Sequence, residues 1–248
     1  MTLEEFFAEH PKAALAFSGG VDSAYLFYAA LHHGADVTAY YVRSAFQPAF
    51  ALEDAQTMTA ALGGRLRVLD VDVLSDPVIA ANPADRCYHC KKRVFTAISE
   101  AARADGYSLL LDGTNASDDA SDRPGMRAKA ELGVRSPLRE CGLTKADIRR
   151  ASREAGLFTW DKPAYSCLAT RVATGETLTA ETLSAVEQAE TYLMGLGFSD
   201  LRVRTSLGAA RLQLRREQWP LLVERREEIL TELKRWFGPV TLDLEVRE

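Results

Sequence analysis

Apolar and polar positions in the first two thirds of the chain alternate between strand-like and helix-like runs. An apolar run at 13–17 predicts a buried strand, and a glycine-containing segment then leads into a helix whose apolar face covers 24–31. The same pattern predicts strands at 37–42, 66–73 and 107–111, and helices at 48–62, 90–104 and from a Thr144-x-x-Asp147 capping box through Ala155. This alternation predicts an α/β fold, a Rossmann-like doubly wound parallel sheet with helices on both faces.

The alternation ends near residues 160–175, where Pro163, Gly175 and several polar residues are typical of a segment between domains. We therefore predict a domain at 1–162 and a smaller C-terminal α+β domain at 163–248. The second domain is predicted to contain a helix at 183–196, an antiparallel hairpin of strands 201–204 and 211–215 around Gly208, a helix at 219–236 and a strand at 240–246.

Charge and apolar run length exclude two broad classes of protein. The 30 basic and 35 acidic side chains of the 248 residues give a formal net charge of −5, which argues against general binding to nucleic acid backbones. The longest apolar run covers residues 24–31, far short of the roughly 18 residues that a membrane span requires. Residues 1–10 carry acidic rather than basic side chains, so no export signal is visible and we expect a cytoplasmic protein with reduced thiols.

The segment Ser18-Gly19-Gly20-Val21-Asp22-Ser23 joins the first predicted strand to a helix N-terminus, where backbone N–H groups and the helix dipole favour an anion. No Gly-Lys-Ser/Thr follows, so this is not a Walker A loop and transfer of a γ-phosphate is disfavoured. The structural alternative is a tight turn at the end of a strand.

The same string resembles the pyrophosphate loop of the ATP pyrophosphatase superfamily, whose fold is called adenine nucleotide alpha hydrolase-like. The resemblance implies that a substrate attacks ATP at its α-phosphate and becomes adenylylated while Mg²⁺-pyrophosphate leaves. It implies phosphate binding by Ser18, Gly19, Gly20, Asp22 and Ser23, with Asp22 close to Mg²⁺.

Cys87 and Cys90 lie at positions i and i+3 of a predicted helix start, so both sulfurs face one side, within reach of a common metal. Neighbouring basic residues and the helix start lower thiol pKa values and favour thiolates. The alternatives are a chance pair of buried cysteines or a redox Cys-x-x-Cys. A Cys₄ zinc site is disfavoured because a second Cys-x-x-Cys is absent. For Cys141 we expect a packed or partly exposed thiol.

Several further stretches resemble the sulfur transferases of lactate racemase nickel-pincer cofactor biosynthesis, a branch of the pyrophosphate-loop superfamily. Besides the loop, these are Asp85-Arg86-Cys87-Tyr88-His89-Cys90-Lys91, Asp112-Gly113-Thr114-Asn115-Ala116, Arg123-Pro124-Gly125, Ser136-Pro137-Leu138, Trp160-Asp161-Lys162-Pro163-Ala164 and Cys167-Leu168-Ala169-Thr170-Arg171. The resemblance implies an enzyme that adenylylates a carboxylate of pyridinium-3,5-biscarboxylic acid mononucleotide and converts it to a thiocarboxylate, releasing AMP and pyrophosphate. It also implies a sulfide donor and a ring-like homo-oligomer.

This family supplies sulfur in two ways. In one, the cysteine matching Cys167 gives up its own sulfur and becomes dehydroalanine. In the other, cysteines matching Cys87, Cys90 and Cys167 hold a 4Fe-4S cluster, which leaves one coordination position for exogenous sulfide. Because this chain has all three cysteines, we favour the cluster mode. A three-cysteine zinc site stays open as an alternative, since thiolates also suit zinc.

Basic residues cluster at 201–216, where strand alternation places arginines on one face of the predicted hairpin and Val203, Leu212 and Leu214 on the other. The alternative is that these arginines simply form a solvated outer face of the hairpin. For Arg215 and Arg216, this alternative and a binding role are equally favoured. The resemblance implies that Arg202, Arg204 and Arg211, joined by Arg171, bind the substrate phosphate, for which the guanidinium fork is suited.

Three further residues take their predicted roles from the resemblance. Glu190, on a predicted helix, is a candidate for a carboxylate that orients the substrate or helps bind metal. Asp112 and Thr114 close a predicted strand, where doubly wound sheets place ligand contacts, and are candidates for nucleotide binding.

Two other functions compete with this hypothesis. A tRNA thiolase also combines a pyrophosphate loop with three cysteines, but the net charge of −5 and the lack of a basic RNA-binding extension argue against it. A non-catalytic nucleotide or metal sensor would bind ATP without substrate-dependent release of pyrophosphate.

Overall fold

The computed structural model describes residues 1–118 and 124–247, so Arg123 of the predicted Arg-Pro-Gly motif lies outside the described residues. The chain divides into two compact units. The first unit comprises Met1–Val73 and Asp85–Lys162, and the second comprises Leu74–Ala84 and Pro163–Glu248. The short segment at 74–84 therefore groups with the C-terminal residues, an association that the sequence pattern did not indicate.

The predicted strands and helices occur in the predicted order, and the structure adds helices at 3–9, 77–80, 124–131 and 137–140 that the pattern did not indicate. The strands are β1 Lys12–Ala16, β2 Asp36–Arg43, β3 Arg65–Asp70, β4 Leu110–Asp112, β5 Arg202–Ser206, β6 Ala209–Gln213 and β7 Val240–Leu242. The α-helices are α1 Leu3–Glu9, α2 Val21–His32, α3 Ala49–Ala61, α4 Pro77–Ala80, α5 Arg86–Ala104, α6 Pro124–Glu131, α7 Pro137–Glu140, α8 Lys145–Glu154, α9 Ala180–Gly195, α10 Trp219–Glu224 and α11 Arg226–Leu233. Single 3₁₀ turns cover Leu168–Arg171 and Arg216–Gln218.

The first unit is built on a parallel four-stranded sheet in the order β3-β2-β1-β4. The interior of β2 is buried throughout, as expected for a strand with neighbours on both sides and helices above and below. Phe27 belongs to one buried apolar cluster, while Tyr40 and Ile98 belong to another. The predicted α/β class and parallel sheet are confirmed.

The second unit contains a mixed three-stranded sheet in the order β5-β6-β7. Strands β5 and β6 form the predicted antiparallel hairpin, with Val203 opposite Leu212 and Arg204 opposite Arg211. Strand β7 runs parallel to β6 and ends at Leu242, four residues before the predicted end.

The single helix predicted at 219–236 is wrong, because the chain breaks at Arg225 into α10 and α11. Arg225 has φ −95° and ψ 10°, outside the helical region. Helix α10 buries no residue, whereas α11 buries Ile229 and Leu233, so the two segments pack differently. Other differences concern boundaries: α5 begins at Arg86 rather than residue 90, and β4 begins at Leu110 rather than residue 107.

Across the described ranges, every helix is either too short or too polar to cross a membrane.

Candidate functional site

The predicted phosphate loop connects β1 to α2. Hydrogen bonds made by Ser18 and Ser23 stabilise its conformation. The Ser18 backbone N–H donates to Ser23 Oγ at 3.3 Å, and Ser23 Oγ donates to the Gly20 carbonyl at 3.1 Å. Gly19 has φ +74°, and a Cβ at this position would lie 3.1 Å from the Ala51 carbonyl oxygen. Glycine therefore suits this position best, and the loop backbone lies close to the first turns of α3.

Asp22 lies in the first turn of α2. Among the described residues, only one of its two carboxylate oxygens has a hydrogen-bond partner. Its Oδ2 accepts a hydrogen bond from Lys145 Nζ at 2.6 Å. Its Oδ1 is buried and has no hydrogen-bond partner among the described residues. A buried carboxylate oxygen without a partner is costly, and a hard cation such as Mg²⁺ would satisfy it. The donor chemistry of Asp22 therefore fits Mg²⁺.

The end of β4 packs against the same helix start. A Cβ on Gly113 would lie only 2.9 Å from the Ser23 backbone nitrogen, so the backbone approach requires glycine here. Asp112 accepts hydrogen bonds from Lys129 Nζ at 2.7 Å, Ser136 Oγ at 2.6 Å and Thr114 Oγ1 at 2.7 Å. The fold thus brings Asp112 and Thr114 to the edge of the sheet that carries the loop.

Electrostatics keep the Asp112 carboxylate charged. Burial acts to raise the pKa of Asp112, but the charge of Lys129 and the hydrogen bonds from Lys129, Ser136 and Thr114 outweigh it, so the pKa lies below its usual value. Asp112 and Lys129 thus form a buried ion pair, with side-chain exposures of 10% and 4%.

Lys129 and Lys145 are site residues that no motif in the sequence marked. Lys145 begins α8 directly after the capping residue Thr144. A cation in the first turn of a helix is unfavourable, because the N-terminal end of the helix dipole is positive. The position of Lys145 could therefore have indicated a functional role from the sequence. Lys129 had no such signal, since it lies within an ordinary charged helix.

Cys87 and Cys90 lie at the start of α5, as predicted. Cys87 is exposed and Cys90 is half-buried, and the structure records both as thiols. Arg86 Nη2 donates to Cys87 Sγ at 3.6 Å. Burial, followed by the charge of Lys129, lowers the pKa of Lys91, whose surroundings include Cys87. Two thiols at i and i+3 are a suitable donor pair for a soft metal centre.

Cys141 is half-buried at the C-terminal end of α7, and burial raises its pKa. This matches the expected packed or partly exposed thiol.

Cys167 begins the 3₁₀ turn Leu168–Arg171 in the second unit and is half-buried. Its carbonyl oxygen accepts three hydrogen bonds: from the Thr170 backbone N–H at 3.0 Å, from Thr170 Oγ1 at 2.8 Å and from Arg171 Nη1 at 3.3 Å. The backbone of this cysteine is therefore held firmly.

Arg171 and Glu190 form a fully buried, two-point ion pair. Arg171 Nε donates to Glu190 Oε1 at 2.9 Å and Arg171 Nη2 donates to Glu190 Oε2 at 3.1 Å, with side-chain exposures of 0% and 1%. Glu190 also accepts hydrogen bonds from Tyr165 Oη and, at 2.9 Å, from the Val203 backbone N–H. Glu190, the helix carboxylate predicted to orient the substrate or help bind metal, is thus buried and already accepts hydrogen bonds from four donors.

A pocket of about 430 Å³ opens beside this pair within the second unit. Its lining residues are Arg171, Val172, Ala173, Arg204, Thr205, Ser206, Ala209, Ala210, Arg211 and Thr241. Three of the four predicted phosphate-binding arginines therefore border one pocket. Arg202 is not among the described residues that line it; this side chain is buried and donates to the carbonyls of Leu201 at 2.7 Å and Ala164 at 2.5 Å.

Positive charge is concentrated around this pocket. Burial, together with Arg171 and Arg247, lowers the pKa of Arg202 to about 10. Burial and neighbouring arginines also lower the pKa of Arg204. Arg211 pairs with Asp243 at 3.4 Å but stays 57% exposed. An excess of arginine over carboxylate in a concave surface favours an anionic ligand.

Cys87 and Cys90 belong to the first unit and Cys167 to the second. In the part of the chain that the structure describes, neither unit by itself gathers three His, Cys, Asp or Glu side chains into a metal site.

No family model matches the chain. It is 39% identical to an uncharacterized protein of Synechocystis sp. over 98% of this chain and 92% of that protein. It is 35% identical to the pyridinium-3,5-bisthiocarboxylic acid mononucleotide synthase of Lactiplantibacillus plantarum over 82% of this chain and 74% of the synthase. It is also 28% identical to an uncharacterized protein of Methanocaldococcus jannaschii over 96% of this chain and 91% of that protein.

Proposed function

Since the chain belongs to the family of the pyridinium-3,5-bisthiocarboxylic acid mononucleotide synthase, we propose that it is an ATP-dependent sulfur transferase of nickel-pincer cofactor biosynthesis. Its substrate is the pyridinium-3,5-biscarboxylic acid mononucleotide, and its product carries a thiocarboxylate. The geometric observation that carries the ATP-dependent part is the buried, unpartnered Oδ1 of Asp22 beside the glycine loop.

In this proposal the first unit binds Mg²⁺-ATP. Backbone N–H groups of Ser18–Ser23 and the start of α2 receive phosphate, Asp22 holds Mg²⁺, and Asp112 and Thr114 contribute to the nucleotide site. Lys145 already contacts Asp22 and adds positive charge next to the loop. Mg²⁺, when bound, neutralises the charge of the departing pyrophosphate.

The second unit binds the substrate phosphate in the arginine-lined pocket. Arg204 and Arg211 border this pocket from paired positions of the hairpin. Arg204 already donates from Nε to Gln213 Oε1 at 2.6 Å and from Nη1 to the Thr170 carbonyl at 2.8 Å, which leaves its Nη2 for phosphate, whereas the exposed Arg211 can present its fork. Arg202 is not proposed as a direct ligand, because its guanidinium donates to the carbonyls of Leu201 and Ala164. A volume of about 430 Å³ lies within the range of small-molecule sites.

The chemistry proceeds in two steps. A substrate carboxylate oxygen attacks the α-phosphorus of ATP, and the bond to pyrophosphate breaks, giving an acyl-adenylate. Sulfide then adds to the acyl carbon and AMP leaves with the electron pair of the C–O bond. Adenylylation is required because a carboxylate oxygen is otherwise a poor leaving group.

Cys87, Cys90 and Cys167 are proposed to supply sulfur by holding an iron-sulfur cluster. Their thiol chemistry fits such a group, and the first two already lie on one side of a helix turn. If these three residues held such a cluster, it would provide a coordination position for exogenous sulfide. The alternative within the same function is sacrificial transfer of the Cys167 sulfur, which leaves dehydroalanine.

The test is a reconstitution with protein purified without oxygen, in which iron and sulfide are counted before assay. The protein is then incubated with Mg²⁺-ATP, the mononucleotide and sulfide, and pyrophosphate and thiocarboxylate are measured. We expect pyrophosphate release that depends on the mononucleotide and a thiocarboxylate product. ATP binding without such release would instead support a nucleotide sensor.

Two additional measurements sharpen this experiment. Asp22→Asn should slow pyrophosphate release by about 100-fold, equivalent to roughly 2.7 kcal/mol, whereas Asp36→Asn at the opposite end of the sheet should have no effect. The mass of the chain after turnover distinguishes the sulfur sources. Loss of one sulfur per product from an iron-free protein would replace the cluster mode with the sacrificial mode.

A further inference from the structure

Arg171 differs from the other arginines near the pocket because its whole guanidinium is occupied inside the protein. One edge, Nε and Nη2, contacts the two carboxylate oxygens of Glu190. The remaining nitrogen, Nη1, donates to the carbonyls of Ser166 at 2.8 Å and Cys167 at 3.3 Å and to Thr170 Oγ1 at 2.9 Å. Its side chain has no exposed surface.

The partners of Arg171 are themselves anchored to different elements. Glu190 belongs to α9 and accepts the backbone N–H of Val203 in β5 at 2.9 Å. The Tyr165 ring lies 4.4 Å from the Arg171 guanidinium, and its hydroxyl donates to Glu190. Arg171 therefore connects the turn that carries Cys167 to a helix and to a strand of the second unit.

This arrangement is unsuited to direct phosphate binding. A phosphate could take Nε or Nη2 only if Glu190 gave them up, and that would leave a buried carboxylate without its cation. Arg211, by contrast, is 57% exposed at the same pocket and can turn toward a ligand.

We propose that Arg171 is a positioning residue that holds the backbone of Cys167 in place for sulfur transfer, and that it is not a ligand of the substrate phosphate. The inference rests on the proposed function, in which the Cys167 sulfur acts at the reaction centre. A guanidinium is required because it bridges carboxylate and carbonyl oxygens at the same time, which an ammonium group cannot reproduce.

The test uses the full-length double variant Arg171→Met/Glu190→Gln. Removing Arg171 alone would leave the buried Glu190 charge unpaired and could unfold the second unit. The double variant is uncharged at both positions, keeps side chains of similar length, and leaves an amide oxygen to accept the Val203 N–H. Arg171→Lys, which keeps one charge but loses the fork, serves as the conservative variant. Arg211→Met is the matched control from the same pocket.

The first readout is amide hydrogen exchange, which does not depend on activity. We expect the Thr170 amide, hydrogen-bonded to the Cys167 carbonyl, to exchange at least about tenfold faster in the double variant. Exchange in β1 to β4 should stay unchanged. Unchanged exchange at 164–172, or a uniform increase over the whole chain, would overturn the positioning role.

The second readout separates turnover from substrate binding. A misplaced reacting group costs about 100-fold in rate, so thiocarboxylate formation should slow by about that factor in the double variant and less in Arg171→Lys. The KM for the mononucleotide should change less than about threefold, whereas Arg211→Met should raise KM and keep turnover. A large increase in KM with normal turnover in the Arg171 variants would instead make Arg171 a phosphate ligand.

The two proposals can fail separately. If the wild-type protein forms no thiocarboxylate, the proposed function is wrong, while hydrogen exchange still reports whether Arg171 holds the Cys167 turn. If the wild-type protein is active and the variants turn over at the wild-type rate, only the inference about Arg171 is wrong.

Discussion

Within the described residues, each unit has a buried ion pair next to its candidate site. Lys129 and Asp112 pair at the end of β4, and Arg171 and Glu190 pair beside the Cys167 turn. Burying two charges carries a large desolvation cost, so such pairs add little net stability, but removing one partner is strongly destabilising. Asp112 also accepts the Thr114 backbone N–H at 3.3 Å, and Arg171 donates to the Cys167 carbonyl at 3.3 Å. Each pair therefore contributes by holding the backbone of a site residue.

Asp112→Asn tests the pair in the first unit. The variant should lower the free energy of unfolding at pH 7 by about 3–5 kcal/mol, because Lys129 stays buried without a counter-charge. Since the pKa of Asp112 is lowered in the folded state, its contribution is present above its ordinary value of 3.8 and is lost as pH falls through the lowered value. The difference from wild type should therefore shrink in acid.

Urea denaturation at several pH values measures this effect. Asp70→Asn is the control, because Asp70 pairs with Arg43 on the exposed surface and its loss should leave stability nearly unchanged. A pH-independent difference for Asp112→Asn would contradict the ion-pair explanation.

At the scale of secondary-structure elements, helix α8 connects local capping to the proposed nucleotide site. Thr144 Oγ1 accepts the Asp147 N–H at 3.2 Å, and Asp147 Oδ2 accepts the Thr144 N–H at 3.1 Å, which is the predicted capping box. Lys145, the first helical residue, then contacts Asp22. The capping box therefore helps to fix the position of the Lys145 ammonium group.

Thr144→Ala should cost about 1 kcal/mol of stability and weaken Mg²⁺-ATP binding through Lys145. Thr179→Ala is the matched control, because Thr179 caps α9 by accepting the Thr182 N–H at 3.1 Å and should cost a similar amount without changing ATP affinity. Thermal denaturation and ATP titration measure the two effects. Equal losses of ATP affinity in both variants would refute the connection.

The hairpin turn contains a residue in an unfavourable backbone conformation. Leu207 has φ +49° and is 91% exposed, and Gly208 follows with φ +74°. Positive φ at both central residues is typical of a type I′ turn, which favours Asn-Gly over Leu-Gly.

Leu207→Asn should therefore stabilise the protein by about 1 kcal/mol, seen as a higher melting temperature. Val223→Asn replaces another exposed apolar residue, one that lies within α10, and should give no such increase. If both variants gained the same stability, the cause would be the replacement of an exposed apolar side chain and not the backbone conformation at residue 207.

At the scale of the whole molecule, a net charge of −5 coexists with a local excess of arginine in the second unit. This distribution suits a small phosphorylated ligand better than a long polyanion, which would also meet the acidic remainder of the surface.

Arg204→Met and Arg211→Met should each weaken mononucleotide binding about tenfold by removing a charge-assisted hydrogen bond. Arg215→Met is the control, since Arg215 is exposed and pairs with Glu217 outside the pocket. Calorimetric titration measures these affinities. Unmodified tRNA should bind weakly at physiological salt; tight binding with a steep salt dependence would favour the tRNA thiolase alternative.

The sequence by itself determined the features that depend on near neighbours along the chain. The alternation of apolar periods predicted the parallel sheet, Thr144-x-x-Asp147 predicted a capping box, and the residues around Gly208 predicted a hairpin, all confirmed. These features follow from the local period of burial and from backbone preferences, which are encoded within a few residues.

Only the tertiary structure decided which distant side chains meet. It paired Arg171 with Glu190 and Lys145 with Asp22, grouped 74–84 with the second unit, and broke the last helix at Arg225. The pattern of the chain shows that a residue is charged or apolar, but its partner depends on long-range packing. Burial then decides the outcome, because a charge removed from water must find an opposite charge or hydrogen bonds wherever the fold places it.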